Sequence, residues 1–116
     1  MKLIMYRGDA AIFNLQCLQS NGDPLDITTG DLWFTAKSSA RQSDVDAVFQ
    51  KTNGDGVSIV DGPNGLATVT LSTEDTSTVY APSYLAWDLQ YVTTGGQPTT
   101  LLAGTLLIKA DVTRST

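Results

Sequence analysis

Tyr84-Leu85-Ala86-Trp87-Asp88-Leu89-Gln90-Tyr91-Val92 decides the fold. Leu85, Trp87, Leu89 and Tyr91 fall on one side of an extended chain, and Ala86, Asp88 and Gln90 fall on the other. That period of two belongs to a strand with one buried and one wet face. On its C-terminal side, Thr94-Gly95-Gly96-Gln97-Pro98 supplies hairpin-loop chemistry. A second long strand follows over Thr100 to Lys109. Gly104 lies in its middle, which predicts a bulge or a close backbone approach.

Working back toward the N-terminus, Leu66 to Leu71 alternates again, with Ala67, Val69 and Leu71 opposite Thr68 and Thr70. Ser72-Thr73-Glu74-Asp75 is the only helix-start signature. The Thr-Ser-Thr-Val that follows is a poor helix former, so one turn is expected near 73–79, ended by Pro82. Val48 to Lys51 and Val57 to Val60 read as short strands around Asn53-Gly54-Asp55-Gly56. Leu32, Phe34 and Ala36 alternate against Trp33, Thr35 and Lys37 in another strand. The polar stretch 38–46 reads as a mobile loop. Phe13, Leu15 and Cys17 alternate with Asn14 and Gln16 over 11–18, and residues 2–6 read as an edge strand closed by Arg7-Gly8-Asp9.

The expected fold is therefore all-β: an antiparallel, immunoglobulin-like sandwich of about 7–8 strands with one helical turn. Turn signals every 8–12 residues carry that reading. The 116 residues form one domain, 1–116, with a polar tail over 112–116 expected to fray.

Composition narrows the function. The chain has no histidine and one cysteine. The commonest general base, the Ser-His and Cys-His nucleophile pairs and Cys-rich zinc sites are therefore absent. No phosphate-binding loop of the form Gly-x-x-x-x-Gly-Lys-Ser/Thr occurs. Cys17 reads as a small core residue. The formal net charge of −5 opposes a nucleic-acid backbone. No segment has the length and apolarity of a membrane span, and the N-terminus lacks the apolar core of a signal peptide. Neither cofactor nor metal is expected.

Several features invite sharper readings. Asp9, Asp23, Asp26, Asp31, Asp88 and Asp111 are the acids from which a glycosidase-like pair would be drawn. Asp88 stands apart because it lies inside a strand, where a wet-face carboxylate is the plain reading. Asn21-Gly22-Asp23 and Asn53-Gly54-Asp55-Gly56 offer oxygen ligands for calcium, but neither follows the EF-hand pattern and turn geometry accounts for both. Arg7-Gly8-Asp9 reads as a turn. Trp87 falls in the buried register of its strand. Trp33 falls in the outward register, so it is either held in an interface or covered by a loop.

The order of six segments resembles a known group: Arg7-Gly8-Asp9 before a strand, Asn21-Gly22-Asp23-Pro24-Leu25-Asp26-Ile27-Thr28, Leu32-Trp33-Phe34-Thr35-Ala36-Lys37, Gly65 to Thr76, Tyr84 to Tyr91, and Thr100 to Ile108. Together they are similar to small immunoglobulin-like domains of tailed bacteriophages and prophages, such as the N-terminal domain of the baseplate upper protein family. The resemblance implies a non-enzymatic structural protein of a phage tail, baseplate or fibre attachment. It would be made in the bacterial cytoplasm, carried in the virion, and would contact other tail proteins or copies of itself. The interface candidates are Trp33, Thr35, Lys37, Arg41 and Tyr6. The alternative is a carbohydrate-binding or adhesion module using an exposed aromatic and loop acids.

Overall fold

The computed structural model describes residues 2–37, 48–77 and 83–110. Eight strands and one short helix follow in chain order: β1 (Lys2–Tyr6), β2 (Ala11–Gln16), β3 (Asp31–Lys37), β4 (Phe49–Asn53), β5 (Gly56–Asp61), β6 (Leu66–Leu71), α1 (Thr73–Ser77), β7 (Ser83–Val92) and β8 (Pro98–Lys109). The strands hydrogen-bond in the order β1-β8-β7-β3-β4-β5-β6-β2. Most neighbours are antiparallel. β1 instead runs parallel to β8, and β4 meets β5 in a parallel contact at Thr52↔Gly56 and Asn53↔Val57 alone.

That short contact is where the sheet turns over. On one side β7, β8 and β3 contribute Leu85, Trp87, Leu89, Leu106, Ile108, Leu32 and Phe34. On the other, β2, β5 and β6 contribute Leu15, Val57, Ala67, Val69 and Leu71. All of these join one buried cluster. The result is an all-β sandwich with two wings whose inner faces share a core. β1 and β2 are consecutive in the chain yet occupy opposite ends of the strand order. The short link 7–10 therefore keeps the two sheet edges at one side of the sandwich.

Within the core, the Phe34 ring stacks on Trp87 at 5.3 Å and on Phe49 at 6.1 Å. Apolar contact of this kind is the dominant favourable term in the fold. Trp87 lies opposite Gly104 across the β7–β8 ladder. The ladder is unbroken there, so Gly104 does not mark a bulge. The register shift falls instead between Leu89 and Gln90, which pair with Leu102 and Thr100 and leave Leu101 over.

Two other glycines are required by their surroundings. Gly65 has φ +72°, and a Cβ there would sit 2.4 Å from the Cys17 carbonyl oxygen. Gly30 has φ +94°, and a Cβ would meet the Val92 carbonyl oxygen at 2.5 Å. Beside Gly30, the Tyr91 hydroxyl donates to the Thr29 carbonyl and ties the loop before β3 to β7.

The single helical turn sits where its start signature predicts. The Asp75 carboxylate accepts the Ser72 N–H at 2.7 Å, half of a capping box. Lys51 of β4 reaches the other Asp75 oxygen at 2.9 Å. The loop 38–46, residues 78–79 of the expected helical turn, and the tail 112–116 lie outside the described residues.

Candidate interaction groove on the outer sheet face

The β3–β7 register runs from Asp31↔Val92 to Lys37↔Ala86 and fixes which side chains share the outer face. Trp33 stands opposite Gln90, Thr35 opposite Asp88, and Lys37 opposite Ala86. From the other flank, β4 places Thr52 against Trp33 and Gln50 against Thr35. Pleating alternates the side chains, so the residues that leave Leu32, Phe34 and Ala36 in the core must put Trp33, Thr35 and Lys37 outside.

These residues frame a groove of about 330 Å³ lined by Trp33, Thr35, Lys37, Gln50, Asp88, Gln90 and Val92. A second hollow of about 240 Å³ shares Thr35, Lys37 and Asp88 and continues over Ala86, Ala103 and Gly104 to Trp87. Short side chains between long ones give the face its relief. Thr35 is only 7% exposed although it belongs to the outer register. Its hydroxyl accepts a hydrogen bond from Gln50 Nε2 at 3.0 Å. Lys37 and Asp88 each make a polar contact of their own. The Trp87 indole N–H, by contrast, is buried without an acceptor among the described residues.

The lining is mixed: one indole, two carboxamides, a hydroxyl, one ammonium and one carboxylate. Such a surface suits many directional contacts to a polar or amphipathic partner. Asp88 is the groove's only carboxylate among the described residues, so the acid pair of a glycosidase is not assembled there.

Of the interface candidates read from the sequence, Trp33, Thr35 and Lys37 come together in this groove. Tyr6 lies on the same outer face but on β1, three strands over from β3 and level with the start of β7 rather than with the groove. Arg41 falls outside the described residues. Sequence reading did not single out Gln50 or Gln90. Gln90 could have been found from its wet-face register, whereas Gln50 depended on knowing that β4 pairs with β3.

The calcium candidates are occupied with local structure. Asn53 accepts the Leu32 N–H at 3.0 Å and donates to the Gly30 carbonyl at 3.3 Å. Asn21 accepts the Asp23 N–H at 3.0 Å in an Asx turn. Asp26 accepts from both the hydroxyl and the N–H of Thr28, which hold its carboxyl below the usual range. No group of metal-ligating side chains is found among the described residues. No helix among them is long and apolar enough to cross a membrane.

Comparison with known proteins finds no matching family model and no matching curated protein. The groove is therefore read from its own chemistry.

Proposed function

We propose that this protein is a non-enzymatic interaction module that binds another polypeptide on the outer face of β3, β4 and β7. The observation that carries the reading is the half-buried Trp33 beside the sunken Thr35, in a groove whose neighbours supply paired amides and both signs of charge. An aromatic anchor with a polar surround is the usual composition of a protein-binding hot spot. The resemblance of its segments to small phage-tail domains supports the reading of a tail, baseplate or fibre-attachment role. The test is mass spectrometry of purified tailed particles from a lysogen carrying the gene, wild type against Thr35→Arg. The wild-type chain is expected in the particles and the folded Thr35→Arg chain is expected to be missing. Absence of the wild-type chain would overturn the tail reading.

One observation favours a second reading. An indole with Gln50, Gln90 and Asp88 around it also suits sugar hydroxyls, which makes carbohydrate binding the alternative. Signal on a glycan array that disappears with Trp33→Ala would select it.

A further inference from the structure

Five of the exposed large hydrophobics gather in two patches, while Ile12 and Leu18 stand elsewhere on the surface. Ile4 on β1, Leu107 on β8 and Tyr84 on β7 form one direct cross-strand row, because Ile4 pairs with Leu107 and Leu107 with Tyr84. Tyr84 is 63% exposed, and Ile4 and Tyr6 are each about half exposed. Two lysines frame the row. Lys2 Nζ lies 5.9 Å from the Tyr84 ring centroid and Lys109 Nζ lies 5.7 Å from that of Tyr6. Lys2–Tyr6 of β1 and Thr105–Lys109 of β8 contain no acid, and Asp88 of β7 stands four residues along the strand from Tyr84.

The opposite wing carries the complement. Val60, at the irregularity in the β5–β6 ladder, is 63% exposed. Leu66 beside it is also exposed and pairs with Asp61. The loop bearing Asp26 packs against this corner, since the Ile27 N–H bonds to the Gly62 carbonyl at 2.9 Å. Asp61 is held outward by Asn64 at 2.8 Å. No lysine or arginine occurs between Arg7 and Lys37 or between Lys51 and Lys109, so this patch has acids and no base.

The two patches lie on the outer faces of opposite wings and cannot meet within one molecule. Each has an apolar centre, one with a cationic rim and the other with an anionic rim. We propose that they meet between copies of this chain, head to tail, with the Ile4–Leu107–Tyr84 row of one copy seated on the Val60–Leu66 corner of the next. The interface is heterologous, so it propagates into a ring or an open filament rather than stopping at a two-fold dimer. It uses none of the groove residues, and the groove reading can fail without it.

Two variants test this. Ile4→Glu/Tyr84→Glu repels the acidic corner, and Val60→Gln/Leu66→Gln removes that corner's apolar centre. All four positions are solvent-exposed, and circular dichroism melts check that both variants remain folded. By analytical ultracentrifugation at low salt, the wild type is expected to grow beyond a dimer as concentration rises. Raising salt to about 0.5 M should reverse that growth, since the Debye length then falls to a few ångströms. Each variant alone should be monomeric. An equal mixture of the two should form a 1:1 dimer that grows no further, because one intact row meets one intact corner. A wild type that stays monomeric at millimolar concentration overturns the proposal, as does either folded variant assembling alone.

Discussion

Trp87 and Trp33 occupy neighbouring strands in opposite registers, and the contrast shows how this small sheet divides its labour. Trp87 is 3% exposed, stacks on Phe34 and pairs with Gly104 across the β7–β8 ladder. Trp33 has Gln90 and Thr52 beside it and stays partly open to solvent. One residue type thus supplies packing on the inner face and a half-exposed indole on the outer face. What separates them is the parity of their positions along the strand.

Truncating each indole breaks the comparison most directly. Trp87→Ala should cost about 3–5 kcal/mol in urea unfolding, the range for large aromatics removed from a core. Trp33→Ala should cost only about 1–2 kcal/mol, because less apolar area leaves water there. Equal losses would show that the outer indole is also part of the core. Trp87→Phe sharpens the inner side. The indole N–H has no acceptor among the described residues, so the loss should be well below that of Trp87→Ala and should come from volume.

Cys17 extends the inner-face argument to pH. It is fully buried, and burial pushes its thiol up from 9.0 to about 11. The folded pKa lies above the unfolded one, so the protonated thiol favours the folded state. That contribution is complete below about pH 9 and is lost as pH rises toward about 11. The loss is on the order of 2–3 kcal/mol across that window, from the size of one pKa unit. Urea midpoints for wild type and Cys17→Ala should converge as pH rises from 8 to 11. In the native protein at pH 8, the thiol should react with iodoacetamide far more slowly than after unfolding.

The inner face was largely legible from sequence, because alternation reports burial directly. Leu85, Trp87, Leu89 and Tyr91 are all buried, as are Ala67, Val69 and Leu71. The helical turn was legible because Ser72 and Asp75 act over three residues. Pairing over long distance was not. Nothing local in Lys2–Tyr6 says that it runs parallel to β8, and Leu101 gives no sign that the register shifts there rather than at Gly104. The same limit applies to the outer groove. Trp33, Thr35 and Lys37 came from one strand's alternation, whereas Gln50 joins them only through the β3–β4 ladder.

Thr35 carries the smallest expected change in stability and the sharpest test of the outer face. It is nearly as buried as its inward neighbour Ala36, yet its hydroxyl is bonded to Gln50 on the solvent side. Thr35→Val keeps the shape and branching and removes only that bond. Gln50 is exposed and can turn to water, so the cost should be about 0.5–1.5 kcal/mol in urea unfolding. A loss as large as that of Trp87→Ala would place Thr35 in the core rather than in a groove. If the groove binds a partner through the floor that Thr35 forms, Thr35→Val should bind nearly as well as wild type, whereas Thr35→Arg fills the groove and should abolish binding. Fold-neutral Thr35→Arg with unchanged binding would remove the outer face of β3 from the interface.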